Sequence, residues 1–145
     1  MANAEHVDAL MRGGEAWNDW RKQHGVDRPD LTNVKLMGRL GEEPKGGELR
    51  NADLSNADLT GATLYNLNIT GANLTGVVAC GADLRTSDFR GSKLDGSDLR
   101  WAAFNGGVLE RASLRSANLN NAKLYQVDCT EADFTGADLR HAYIS

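Results

Sequence analysis

The run Ala52-Asp53-Leu54-Ser55-Asn56-Ala57-Asp58-Leu59-Thr60-Gly61 states a rule that most of the chain obeys: a small residue, a variable one, a large apolar one, then two residues suited to turns. Outward from this run the large apolar position extends without a slip from Leu49 to Ile144. It has twenty positions, thirteen of them Leu and three Phe. A globular domain of mixed elements does not hold one phase for so long, so each repeat is one structural unit of a repeat architecture.

Five is a multiple of neither the helical period of 3.6 nor the strand period of 2. The small and large residues lie two apart, so a short extended segment turns both inward and the residue between them outward. The remaining pair makes a corner, with turn formers such as Thr60-Gly61, Thr70-Gly71, Asp95-Gly96 and Thr135-Gly136. Four sides close a coil, and columns twenty residues apart stack like groups: Leu54, Leu74, Leu94, Leu114 and Phe134 form one, Leu64, Leu84, Phe104, Leu124 and Ile144 another. A close-packed interior must keep its volume, and where the large position shrinks to Ala79 or Cys129 the small one grows to Val77 or Val127. Leu67 beside Ile69 breaks this rule, with Gly47 and Gly107 in the same column as room. Ser87, Ser92 and Ser97 are read as small residues that bond nearby backbone.

With its copies Ala52-Asp53-Leu54, Ala72-Asn73-Leu74 and Ala137-Asp138-Leu139, the motif A(D/N)LXX resembles that of the pentapeptide-repeat family. The resemblance implies an all-β fold, a right-handed quadrilateral β-helix with four repeats per coil. Five coils at the inter-strand spacing make a rod about 24 Å long.

Residues 4–24 follow a different rhythm. Val7, Leu10, Met11, Gly14, Trp17 and Trp20 recur at helical steps, which predicts one amphipathic helix ending at Gly25. The string Ala16-Trp17-Asn18-Asp19-Trp20-Arg21, followed by Arg28-Pro29-Asp30-Leu31, resembles the helical leader of bacterial, notably cyanobacterial, members of the family, which implies an N-terminal capping helix. The chain thus divides into a cap and its exit at 1–28, an incomplete first coil at 29–48 and the repeat rod at 49–145. Leu31 and Leu36 head the incomplete coil. The thirteen residues from Leu36 to Leu49 are not a multiple of five, which predicts a looped insertion at 37–47.

Nothing in the sequence assembles an active site. His6, His24 and His141 have no metal-like spacing, the glycines sit at corners rather than before a Lys-Ser/Thr pair, and two cysteines make no disulfide framework. No enzyme activity, cofactor, metal or direct nucleic-acid binding is expected. Charge is close to balanced: residues 1–48 carry nine acids and seven bases, residues 49–145 eleven and nine. The recurrent outward Asp residues are read as solvating groups paired with nearby Arg. The first residues lack a secretory pattern, and no apolar stretch spans a membrane, so a cytoplasmic protein is expected.

Function is read from the surface. Trp101 stands at a corner occupied by Gly61 and Gly81 in the two preceding coils, and Tyr65, Arg85, Asn105 and Tyr125 form an outward column beside it. Tyr, Arg and Trp together are the composition of an interface, so Trp101, Tyr65, Arg85 and Tyr125 are candidate partner contacts. The last coil, with Phe134, Leu139, His141, Tyr143 and Ile144, is a candidate end for homodimer formation. The expected function is a non-enzymatic scaffold for a protein partner, which includes service as a targeting module for an enzyme on another chain. The alternative suggested by the family resemblance is a DNA-mimicking, gyrase-binding protein of the fluoroquinolone-resistance type, from which this chain departs in charge and length and in having no long loop within the rod.

Overall fold

The computed structural model describes residues 1–37 and 48–145. From Asn51 to His141 every fifth residue, nineteen in all, has a positive φ, between 53° and 72°. Most end a corner closed by a backbone bond such as that from the Ala52 N–H to the Leu49 carbonyl, at 3.1 Å. Positive φ at the third residue alone is the pattern of a type II turn. Glycine fills eight of these positions and tolerates the left-handed region without strain.

Between corners the chain is extended for only two or three residues. Four short strands result: β1 (Lys35–Met37), β2 (Thr63–Tyr65), β3 (Lys123–Leu124) and β4 (Tyr143–Ile144). Elsewhere the expected β-structure consists of isolated parallel bridges between each outward residue and the one twenty positions on. These bridges define four walls: A through Glu48, Asn68, Asp88, Val108 and Asp128; B through Asp53, Asn73, Lys93, Ser113 and Asp133; C through Asp58, Val78, Asp98, Asn118 and Asp138; and D through Thr63, Asp83, Ala103, Lys123 and Tyr143. On each wall the ladder repeats the pattern in which the Leu54 N–H donates to the Asn73 carbonyl at 2.8 Å and the Asn73 N–H to the Ala52 carbonyl at 2.9 Å.

Ahead of the regular coils, Asp30 bridges Asp58, and β1 pairs with β2 in the register Leu36 to Leu64. The offset is twenty-eight residues rather than twenty. Leu31 and Leu36 therefore start walls C and D, and the extra eight residues fall between Met37 and Glu48. Met37 is not in the insertion but ends β1. The rest of the expected loop, 38–47, lies outside the described residues.

The interior is a continuous stack of the large and small positions, including the edge-on pair Phe89 and Phe104 at 5.7 Å. Val77 and Ala79 are both buried, in keeping with exchanged volume. Leu67 and Ile69 are buried together as well, and Gly107 in the Leu67 column is needed as glycine, since an added Cβ would lie 2.8 Å from the Phe104 carbonyl. Ser87 inserts its hydroxyl into a turn, accepting from the Leu67 N–H at 2.9 Å and donating to the Leu64 carbonyl at 2.6 Å. Ser92 and Ser97 likewise donate to the Phe89 and Leu94 carbonyls, which leaves no buried serine unsatisfied.

The single helix expected over 4–24 is two helices, α1 (Ala4–Leu10) and α2 (Gly14–His24). Asn3 caps α1 by accepting the Glu5 N–H. The break falls at Gly13, whose φ of 97° no ordinary helical residue adopts. Close approach explains it: the Gly14 N–H donates to the Glu48 carbonyl, and a Cβ on Gly14 would sit 2.6 Å from the Arg50 carbonyl. The helices supply what a preceding coil would. Asn18 accepts the Asp53 N–H at 2.7 Å, Trp17 Nε1 and Arg21 Nη1 donate to the Asp53 carbonyl, and Arg21 Nη2 donates to that of Ser55. On wall C, the Asn3 N–H donates to the Asp30 carbonyl, and His6 Nδ1 accepts the Asp30 N–H. Trp17 is fully buried, and Trp20 stacks between it and His24, with ring centroids at 5.5 and 4.6 Å.

Two outcomes test this packing. Leu99→Asp places a carboxylate at a fully buried position with no partner, costing about 4 kcal/mol or more, and should abolish the cooperative thermal transition. Trp17→Ala should cost about 3–5 kcal/mol in chemical denaturation, since it removes both a buried ring and the donor to Asp53.

Candidate interaction surface

Along walls A to C the outward residues largely satisfy one another. Each Asp of the Asp-Leu-Arg or Asp-Phe-Arg copies accepts the backbone N–H two residues on, and the arginine folds back onto the same carboxylate. The arrangement holds for Asp88 with Arg90, Asp98 with Arg100 and Asp138 with Arg140, and on wall D for Asp83 with Arg85. Arg140, through its side chain and then its backbone N–H, lowers Asp138 from the ordinary 3.8 to about 2. The side chains of Arg85 and Arg100 likewise hold Asp83 and Asp98 down. At Asp88 partial burial is the largest influence and pushes upward, but the bonds from Arg90 outweigh it.

Wall D differs. Outside the helical leader, the exposed large apolar side chains among the described residues lie on wall D or its leading corner, as Met37, Trp101, Tyr125 and Tyr143 do, or at the inward position of the last strand, Ile144. Trp101 is 58% exposed at φ 63°, in the corner column of Gly61 and Gly81. On the trailing column the Arg85 guanidinium lies 5.6 Å from the centre of the Tyr65 ring while its nitrogens hold Asp83. One coil further, Asn105 Oδ1 accepts the Tyr125 N–H, and Tyr125 lies 6.3 Å from Tyr143. Trp101, Tyr65, Arg85 and Tyr125 thus share one wall.

The residues expected at a dimer end separate into two sets. Phe134 and Leu139 face inward and are half-buried, and Ile144 is an inward position left 64% exposed. His141 and Tyr143 face outward on wall D. The sequence reading missed three members of the wall, Lys35, Met37 and Lys123. The signal was present: Lys123 follows the twenty-residue column, whereas Lys35 and Met37 join it only once the offset of twenty-eight is known.

No group of His, Cys, Asp and Glu among the described residues has a geometry for a metal ion, and no described helix is long and apolar enough to cross a membrane. Cys80 and Cys129 are both free thiols, and burial pushes the Cys129 thiol up. A shallow charged groove beside α2, lined by Arg12, Glu15, Asn18, Glu48 and Arg50, holds no convergent catalytic groups.

A stack of parallel-bridged coils with four corners each and a surface of paired charges defines a β-helical repeat protein. The family model for pentapeptide repeats matches eight copies, over residues 45–76, 72–111, 92–128 and 112–145, and the chain belongs to that family, whose members fold as right-handed quadrilateral β-helices. Among solved structures, a pentapeptide-repeat protein from the cyanobacterium Cyanothece 51142 is similar over 88% of this chain and 97% of its own, at 23% identity and a TM-score of 0.72. One from the Arabidopsis thaliana thylakoid lumen is 30% identical over 64% of this chain and 65% of its own, with a TM-score of 0.62. QnrB1, a plasmid-mediated fluoroquinolone resistance protein, is 17% identical over 81% of this chain and 75% of its own, with a TM-score of 0.48. No curated protein matches the chain.

Two measurements follow from the surface geometry. A bulky side chain in the left-handed region is strained, so Trp101→Gly should leave stability within about 1 kcal/mol of wild type in urea titration, with any change in the direction of gain. Carboxylates held below their ordinary value stabilise the fold fully above pH 3.8 and lose that contribution as pH falls toward their folded values. The melting temperature should accordingly hold from neutral pH down to about 4 and decline toward about 2, and Asp138→Asn should blunt the decline.

Proposed function

We propose that this protein is a non-enzymatic scaffold of the bacterial cytoplasm, a rod of about five coils capped at its front by α1 and α2, that presents wall D to a protein partner. The observation that carries the reading is the gathering of Trp101, Tyr125, Tyr143 and Met37, all more than two-fifths exposed, on one face of a rod whose other walls carry mostly polar residues, several of them in ion pairs. Rigid, amphipathic aromatic groups on a stiff support are what protein recognition uses.

The gyrase-directed alternative needs a dense negative field, as DNA has. Eleven acids against nine bases in residues 49–145, many in mutual pairs, supply little of one. The purified protein should leave DNA supercoiling by gyrase unchanged at micromolar concentration. Inhibition that disappears when acids along one wall are neutralised would replace the scaffold reading with DNA mimicry.

The rod also pairs with a second copy through its last coil. There Phe134, Leu139 and Ile144 are only partly covered, and the N–H groups of Cys129, Phe134 and Leu139, whose counterparts in earlier coils donate to the following coil, have no acceptor among the described residues. A two-fold axis through this end covers both edges at once. Sedimentation equilibrium should give a dimer for the wild type and a monomer for Ile144→Asp. A concentration-independent mass of one chain for the wild type would rule the dimer out.

A further inference from the structure

We propose that the partner segment seated on wall D is acidic and carries apolar anchors. The proposal rests on the scaffold reading above and adds to it the chemistry of what is bound. Within the stack the backbone groups of wall D are spent in the ladder, since β1 bonds β2, Thr63 bridges Asp83, Asp83 bridges Ala103 and Ala103 bridges Lys123. A partner cannot add a strand to the face of the wall and must be read by side chains.

Those side chains are positive and aromatic. Wall D holds Lys35, Arg85 and Lys123 against Asp83 alone, whereas the other outward positions from Glu48 onward hold eleven acids and seven bases. Arg85 is neutralised by Asp83, but Lys35 and Lys123 make no ion pair among the described residues. The wall is therefore a local positive field on an acidic protein of pI 5.3. Four inter-strand steps place the two lysines about 19 Å apart, and an extended segment of about six residues spans that distance.

Between the lysines lies the anchor site. Trp101 projects from its corner, and beside it the wall is low: Ala103 is the smallest outward residue of the column, and a Cβ added at Gly81 would meet nothing within 4 Å. An apolar side chain settles against the indole over this low ground, while carboxylates on either side reach Lys35 and Lys123. Charge steers the encounter and fixes direction, and the buried aromatic contact holds it.

The test is selection of random displayed peptides on the wild-type protein, with soluble Trp101→Gly as competitor, followed by calorimetry with the consensus peptide. The expected consensus has acidic residues about six positions apart flanking an aromatic or aliphatic one. Its affinity should fall at least tenfold on Trp101→Gly and on Lys123→Glu, weaken with added salt, and stay unchanged on Lys93→Glu of wall B. Native circular dichroism of Trp101→Gly separates lost contact from lost fold. A basic or uncharged consensus, equal affinity for Trp101→Gly, or equally tight binding of duplex DNA overturns the proposal. A consensus lost on Lys93→Glu instead also overturns it but leaves the scaffold reading intact. No enriched peptide, together with no protein adduct from photo-cross-linking residues placed on each of the four walls in cells, overturns both.

Discussion

A corner every fifth residue is the constraint on which the molecule depends. Each corner places one residue in the left-handed region and bends the chain so that four sides return it above its starting point, with every outward residue in bridging distance of its counterpart twenty positions away. The ladder then uses up backbone donors and acceptors that two-residue strands could never satisfy by themselves. Once the coils stack, the inward positions have no freedom. They form columns in which a lost methylene must be returned nearby, as Val77 does beside Ala79.

The same constraint explains the front of the molecule. A first coil has neighbours on one side only, and its carbonyls and N–H groups would be orphaned. Here Asn18, Trp17 and Arg21 take the positions that backbone groups of an earlier coil would take against Asp53 and Ser55, and Asn3 and His6 do the same for Asp30. Helix α2 must approach closely to do this, which is why Gly14 faces the Arg50 carbonyl and why the helical leader breaks at Gly13.

Much of this was legible in the sequence because the repeat is a local code. The corners, the inward columns, the exchange of volume at Ala79 and the backbone-bonding serines all follow from a spacing of five. What was not legible depends on long-range contact. Helical periodicity runs through Gly13 and Gly14 without interruption, and only the approach to Glu48 and Arg50 divides it. The membership of wall D was half visible: Trp101, Tyr65, Arg85 and Tyr125 follow the twenty-residue column, whereas Lys35 and Met37 reach it through an offset that no spacing rule supplies. Tyr143 was read as part of an end, and its pairing with Lys123 places it on the same face as Tyr125.

The surface follows from the stack as well. A regular ladder brings like positions together, and Asp-Arg pairs on walls A to C hold down the charge that such repetition would otherwise concentrate. Wall D departs from that neutrality while keeping the same backbone ladder. Amide hydrogen exchange by NMR tests the stack most directly. Between residues 53 and 123 exchange should show a rhythm of five, in which protected amides are interrupted by faster exchange at Ser55, Thr60, Thr70, Thr75, Arg90 and Arg100, whose N–H groups bond only to the partly exposed side chain two residues before them. Protection in long unbroken blocks, or none at all, would contradict it.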